Sequence, residues 1–225
     1  MKIILISDIH ANAFYFREFF NTIARESYDR IICLGDLVGY YDEPNEVIDL
    51  CRQYNIECIK GNHEEYLFGT LKYKESQEHI YRIKLHRDIL SFDNKKYLKE
   101  LPSEIIITDD SVSIYCTHAL PANSAKYLYN PSEILDEYIQ GYDYYCSGHT
   151  HIPYIQYTHG TCVVNPGSIG QPRDYTSEPS YVIIDLLKKE VLIKKIRVDT
   201  DIYIEKLQEK NIDIKLIDIL RRKKK

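Results

Sequence analysis

The stretch Lys2-Ile3-Ile4-Leu5-Ile6-Ser7-Asp8-Ile9-His10 opens the chain with an apolar run that stops at Asp-x-His. Four successive Ile and Leu residues between polar positions read as a buried strand. Four later runs repeat the arrangement. Ile31–Leu34 leads into Gly35-Asp36, and Ile56–Ile59 leads into Gly61-Asn62-His63-Glu64. Val112–Cys116 leads into Thr117-His118, and Tyr142–Cys146 into Gly148-His149-Thr150-His151. Strands that end together deliver their loops to one edge of a sheet, where open α/β sheets place their sites. Asp8, His10, Asp36, Asn62, His118, His149 and His151 are oxygen and nitrogen donors with no Cys among them. Such a set describes a site for two divalent metals.

Outward from these clusters, the first half alternates strand and helix. Asn12–Glu26 carries Phe14, Phe16, Phe19, Phe20 and Ile23, enough for a helix packed on a sheet. Pro44 suits the first turn of a second helix running to about Tyr54, with Val47, Ile48 and Leu50–Cys51 inward. With strands at Lys2–Ser7, Arg30–Leu34 and Glu57–Lys60, the β-α-β-α-β order implies right-handed crossovers and a largely parallel sheet. Residues 64–100 hold no convincing strand and show helical spacing at Ile80, Ile83, Leu85 and Ile89–Leu90, so a helical excursion over one end of the site is expected. The second half is richer in strands, at Glu104–Thr108, Ser111–Cys116, Tyr142–Cys146, Tyr154–Tyr157, Thr161–Val164, Tyr181–Asp185 and Glu190–Arg197. Asp109-Asp110, Thr158–Gly160 and Leu187–Lys189 read as turns between them. The fold class is therefore α/β, a four-layer α/β/β/α sandwich of two mixed sheets flanked by helices. Residues 1–225 read as one domain, closed by a helical segment over 199–225.

The five clusters resemble the five signature blocks of the calcineurin-like metallophosphoesterase superfamily. Asn165-Pro166-Gly167-Ser168 is similar to the block that follows the double-His loop in its small bacterial and archaeal members. So are Ser7-Asp8-Ile9-His10-Ala11-Asn12, the stretch from Gly39 to Val47, and Gly167-Ser168-Ile169-Gly170-Gln171-Pro172-Arg173. The resemblance covers roughly residues 1–198 and agrees with the sandwich. It implies that Asp36 bridges two metals, that Asp8, His10 and His151 complete one shell, and that Asn62, His118 and His149 complete the other. Two metals about 3.5–4 Å apart can bind a bridging hydroxide and both non-bridging oxygens of a phosphoryl group. In an extended Gly148-His149-Thr150-His151, residues 149 and 151 point to one side, and Gly148 lets the backbone come close. Mn²⁺ is the first choice for such a site, with Fe, Ni, Co and Zn²⁺ also feasible.

His63 follows a ligand without being one, which suits a general acid that protonates the leaving-group oxygen. Nearby cations make such a His easier to deprotonate, so a partner that counters them is expected; Glu64 reads instead as a helix-start residue. Ser/Thr phosphatases of the superfamily extend the second block to Gly-Asp-x-x-Asp-Arg-Gly. Here Gly39 and Tyr40 stand where that Asp and Arg would be, which disfavours a phosphoprotein substrate. Glu64 replaces an Asp and Thr117 a Gly often found at those places. Arg173 and Tyr40 are the candidate substrate-binding residues, and Tyr41 and Tyr175 also lie in loops near the site. His79, His86 and His159 read as surface or satisfied core residues. Asn165 through Ser168 reads either as a turn or as a loop bordering the site.

The reading that follows is a binuclear-metal phosphoesterase acting on a small or nucleotide-like phosphodiester or phosphomonoester, by in-line attack of a metal-bridging hydroxide. A dinucleoside polyphosphate hydrolase of the diadenosine tetraphosphate type is the alternative within enzymes. A non-catalytic scaffold, like the retromer subunit of this fold, is the alternative outside them, and the complete ligand set with His63 speaks against it.

Net charge is −5, and five of the 29 basic residues are the closing run Arg221–Lys225. The body is therefore more acidic still, so a nucleic-acid-binding face is not expected, while two divalent metals reconcile an acidic chain with a phosphate pocket. The six Cys form no C-x-x-C, and no run has the length of a membrane span. Reduced structural thiols, a cytoplasmic location and no membrane partner are the expectations. Ile212, Ile214, Leu216–Ile217 and Ile219–Leu220 give the C-terminal segment an apolar face for its own sheet or for a homodimer.

Overall fold

The computed structural model describes residues 1–108, 112–121 and 123–222 of the chain. In chain order the first elements are β1 (Lys2–Ile6), α1 (Ala13–Ile23), β2 (Arg30–Cys33), α2 (Pro44–Gln53), β3 (Glu57–Cys58) and α3 (Asn62–Phe68). Three short helices follow, α4 (Glu78–Tyr81), α5 (Ile83–Ile89) and α6 (Phe92–Glu100). Then come β4 (Glu104–Thr108), β5 (Ser113–Thr117), α7 (Asp136–Ile139), β6 (Tyr144–Cys146), β7 (Tyr154–Thr158) and β8 (Thr161–Asn165). The chain continues through β9 (Ser180–Asp185), β10 (Glu190–Lys195), α8 (Thr200–Glu209) and α9 (Ile214–Leu220).

Two five-stranded mixed sheets result, in the orders β10-β9-β1-β2-β3 and β4-β5-β6-β8-β7. β1, β2 and β3 run parallel, as do β5, β6 and β8, so the two sets of metal-bearing loops leave their sheets at C-terminal ends. Strand alternation assigns the layers. Ile3 and Leu5 of β1 pack between the sheets with Cys116, Cys146 and Val164. Ile4 and Ile6 face the other way, against Phe16 and Phe19 of α1 and Val47 and Cys51 of α2. Tyr145 and Val163 carry the outer face of the second sheet, covered by Leu128, Ile134 and Ile139. All six cysteines are buried and free.

Several boundaries are tighter than the sequence reading. α1 begins after Asn12, whose side chain accepts from the Tyr15 amide, a cap worth about 1 kcal/mol. β6 starts at Tyr144, not Tyr142, and β3 shrinks to two residues because the chain turns at once into the Asn62 loop. Thr158–Gly160 is the expected turn: His159 and Gly160 have φ of 49° and 85° between the paired Thr158 and Thr161. The turn read at Asp109-Asp110 lies outside the described residues. The C-terminal segment is two helices, broken at Asn211 with φ 53°. Ile212, Leu216, Ile217 and Leu220 pack into the helical side of the chain's own core, while Ile214 faces solvent. Among the described residues no helix is long and apolar enough to cross a membrane.

Candidate metal centre

Loops from both sheets are laced together before any side chain is considered. The amides of Asp8, His10 and Ala11 donate to the carbonyls of Gly35, Asp36 and Leu37, joining the loop after β1 to the loop after β2. Gly148 N donates to His118 O, joining the double-His loop to the end of β5. A Cβ on Gly148 would lie 2.0 Å from Ser7 Oγ, so this contact between the sheets requires glycine. Asp8, His10, Asp36, His149 and His151 all adopt left-handed backbone angles, with φ between 50° and 66°. Non-glycine residues pay for that conformation, on the order of 1–3 kcal/mol each, and it concentrates at functional sites. The double-His loop is therefore not extended, and strand alternation is not what orients it. Each left-handed turn aims one imidazole at a different cluster.

In the first cluster, His10 Nε2 lies 3.1 Å from His151 Nε2 and 3.6 Å from Asp8 Oδ1, and His151 Nε2 lies 3.2 Å from the same Asp8 oxygen. In the second, His118 Nε2 lies 2.9 Å from Asn62 Oδ1, 3.2 Å from His149 Nδ1 and 3.4 Å from Asp36 Oδ2. Asp36 Oδ2 is also 3.6 Å from His10 Nε2, so one carboxylate oxygen stands between the two clusters. None of these seven residues is more than 4 % exposed.

The donor set fits a cation. His10, His118 and His151 each use Nδ1 against a backbone carbonyl, of Val38, Leu34 and Gln171, at 2.7–2.9 Å. A carbonyl only accepts, so Nδ1 carries the hydrogen and a neutral ring presents its Nε2 lone pair to the site. Two such lone pairs face each other at His10 and His151, and the buried Asp8 Oδ1 beside them has no hydrogen-bond partner. Donors about 2.0–2.1 Å from a shared metal lie about 3–3.4 Å apart, close to the spacings here. Burial pushes the Asp8 and Asp36 carboxyls up, but the imidazoles around them outweigh it and hold both well below the usual range. Burial pushes His118 down, yet Asp36 prevails and raises it to about 10. Burial lowers His149 to about 4, aided by His118, and His151 to about 3, aided by Arg173.

Glu64 has a larger part than its helix-start position suggests. Fully buried, its carboxylate accepts from the amides of Gly61, Asp36, Leu37 and Val38 at 2.7–3.2 Å, clamping the Asp36 loop onto the start of α3. The block from Asn165 to Ser168 is also a brace: Asn165 Nδ2 donates to Gly148 O and Thr150 Oγ1, and Ser168 Oγ to Asp8 O. His86, read as a satisfied core residue, is one: it accepts from Gly39 N and donates to Tyr41 O.

A match over residues 1–189 to the model of the calcineurin-like phosphoesterase superfamily domain agrees with this arrangement. The chain belongs to the calcineurin-like phosphoesterase superfamily. It is 31 % identical over 220 residues to an uncharacterized protein of Methanocaldococcus jannaschii, covering 89 % of this chain and 88 % of that one. A metallophosphoesterase of Sphaerobacter thermophilus shares the fold with a TM-score of 0.81 at 24 % identity, over 99 % of this chain and 98 % of that one. A hypothetical protein of Pyrococcus horikoshii does so with a TM-score of 0.83 at 18 % identity, over 100 % and 99 %.

Within this superfamily member, His63 sits beside the clusters. Its amide donates to Asp36 Oδ1 and its ring meets that of His10 edge-on, centroids 4.7 Å apart. Its Nδ1 is buried without a partner, because Gly39 occupies the facing position; a Cβ there would lie 2.0 Å away. Among the described residues Nδ1 has no hydrogen-bond partner, and burial holds the imidazole well below its ordinary value, with Asp36 opposing. Arg173 and Tyr40 come together, Nη2 donating to the phenol oxygen at 3.1 Å. Tyr41 points instead into the core beside Tyr203, and Tyr175 is half exposed. Four tyrosines that the sequence reading passed over close the mouth. Tyr66 and Tyr81 ring His63 with Tyr40, and Tyr127 stacks on His149 with Tyr129 stacked on Tyr127. A cleft of about 510 Å³, lined in part by Lys60, Glu65, Thr117, His118 and Ser124, reaches the centre from the His118 side. A larger cavity of about 640 Å³ lies elsewhere, between residues 176–178, 197–201 and α9, away from these donors.

Proposed function

We propose that the chain is a divalent-metal-dependent phosphoesterase that hydrolyses small or nucleotide-like phosphodiesters or phosphomonoesters at a two-metal centre. The observation that supports this most is Asp36 Oδ2, 3.6 Å from His10 Nε2 and 3.4 Å from His118 Nε2. One cluster, Asp8, His10 and His151, would hold one metal; Asn62, His118 and His149 would hold the other; Asp36 would serve both. When bound, two divalent ions supply Lewis-acid polarisation of a phosphoryl group and a water ionised at neutral pH. Mn²⁺ remains the first choice among metals for these oxygen and nitrogen donors.

The chain's own residues do the rest. Glu64 fixes the Asp36 loop, so the shared carboxylate does not need to reorganise as charge develops. Arg173 binds a substrate oxygen, held in place by Gln171 Oε1 at 2.7 Å and the Tyr40 hydroxyl. His63 passes a proton to the leaving-group oxygen. The phosphoryl anion beside it supplies the negative charge that Gly39 does not, raising the imidazole's affinity for that proton.

The test is a screen of metal-reconstituted protein against phosphomonoesters, phosphodiesters, cyclic nucleotides and dinucleoside polyphosphates together. Metal-dependent release of phosphate or alcohol from one ester class is the expected result. Cleavage confined to dinucleoside polyphosphates would move the assignment to an anhydride hydrolase. No turnover with any metal would favour a scaffold.

A further inference from the structure

Residues 124–130 carry two tyrosines on a braced loop. Leu128 is buried against Tyr115, Tyr145 and Val163, and its carbonyl accepts from the Tyr154 hydroxyl at 3.1 Å. At the other end Ser124 Oγ hydrogen-bonds to Glu65 of α3. Tyr127 and Tyr129, on either side of the buried Leu128, are both exposed. Tyr127 lies flat on the His149 ring, with centroids 4.0 Å apart and planes at 20°. Tyr129 lies flat on Tyr127 in turn, at 5.1 Å and 7°. They are 42 % and 59 % exposed, so ring surface remains open to solvent. The result is an aromatic stack that rises from a metal-ligand imidazole to solvent.

A cation hydrogen-bonded only to neutral side chains stands near the same donors. The Arg173 guanidinium donates to Gln171 Oε1 and the Tyr40 hydroxyl, both neutral, and forms no ion pair among the described residues. The Arg173 guanidinium lies over the Tyr40 ring, 5.8 Å from its centroid, and Tyr40 meets the His10 ring at 4.3 Å, so guanidinium and stack flank the same group of donors. A partly buried charge of this kind is completed by an anion. Metal centre, free guanidinium and stacked rings together describe a molecule with a phosphoryl group at one end and a planar ring at the other.

We propose that Tyr127 and Tyr129 form a stacking platform for a nucleobase, so that the substrate is a nucleoside phosphate ester, not a sugar or aliphatic phosphate. This rests on the phosphoesterase reading of the centre. A net charge of −5 argues against a nucleic-acid strand as the base-bearing ligand and for a single small nucleotide. Stacking of a base on a protein aromatic is worth about 1–3 kcal/mol, or roughly 5- to 150-fold.

Two esters with the same leaving group isolate the platform. Thymidine 5′-(p-nitrophenyl phosphate) and methyl p-nitrophenyl phosphate both release p-nitrophenolate when water displaces it at phosphorus, and only the first carries a base. With the metal-loaded chain, kcat/KM is expected to favour the thymidine ester on the order of 10-fold or more. In Tyr129→Ala that ratio should fall toward one, and in Tyr129→Trp it should be kept. A ratio near one in the parent protein, or an unchanged ratio in Tyr129→Ala, overturns the platform. If neither ester is cleaved, the phosphoesterase reading fails on its own, and calorimetric titration with AMP against ribose 5-phosphate still decides the platform. Tighter AMP binding that Tyr129→Ala abolishes upholds it; equal affinities overturn it.

Discussion

The floor of the site and its mouth are built by opposite means. On the floor, seven donor residues hang from strand ends, none more than 4 % exposed, several in left-handed backbone conformations. Backbone hydrogen bonds between loops and the Glu64 clamp leave them almost no freedom. At the mouth, Tyr40, Tyr66 and Tyr81 meet around His63, and Tyr127 and Tyr129 stack on His149, all through side-chain ring contacts between separate segments. Rigid backbone placement suits a centre whose donors must not move during the reaction. Side chains on loops and short helices suit selection among substrates, where a change of one ring alters fit without disturbing the chemistry. Changes at the floor should therefore cost turnover of every substrate, and changes at the mouth should cost preference.

Asp36→Asn should have the largest effect, because its oxygen stands between both clusters. Amide for carboxylate keeps the shape and removes the shared charge. Metal content and turnover should both fall, the latter on the order of 10³-fold or more, beyond any single change at Asn62 or His149. Elemental analysis alongside an ester assay reads both, and near-parental values would place the bridge elsewhere.

His63→Ala separates proton transfer from metal binding. Metal content should stay near that of the parent, while turnover of alkyl esters should fall on the order of 10²-fold or more. The loss should shrink for a nitrophenyl ester, whose leaving group carries negative charge unaided. Equal losses for both leaving groups would make His63 a positioning residue instead.

The third effect is on stability and not on turnover, and concerns His86, which ties the mouth to the floor through Gly39 and Tyr41. Burial pushes its imidazole down to about 4, below the unfolded value of about 6.5. Between those values the unfolded chain binds the extra proton, so this contribution is intact above about pH 6.5 and is lost as pH falls through about 4. The full loss is about 3 kcal/mol. Denaturant unfolding at pH 7 and pH 4.5 should show a steeper loss in the parent than in His86→Gln, which has nothing to titrate there. Parallel losses would mean that His86 is not held neutral.

The same division explains what the sequence revealed. The two sheets, α1, α2 and the family were legible because apolar runs end in donor clusters at fixed places, a pattern set by short-range periodicity. The left-handed turns at His149 and His151 were not, since histidine does not advertise positive φ as glycine does. The Glu64 clamp was hidden because its partners Asp36, Leu37 and Val38 lie far off in sequence. The mouth was the least legible part. Its tyrosines reach the donors only through tertiary packing. Helical spacing in residues 64–100 foretold an excursion there without saying that Tyr66 and Tyr81 would wall in His63.

The central claim is that Asp36 joins two metal positions into one centre. Anomalous diffraction from crystals of Mn²⁺-loaded protein tests it most directly. Two peaks per chain, about 3.5–4 Å apart with the Asp36 carboxylate between them, are the expected result. A single peak at saturating metal, or two peaks with Asp36 bound to only one, would contradict it.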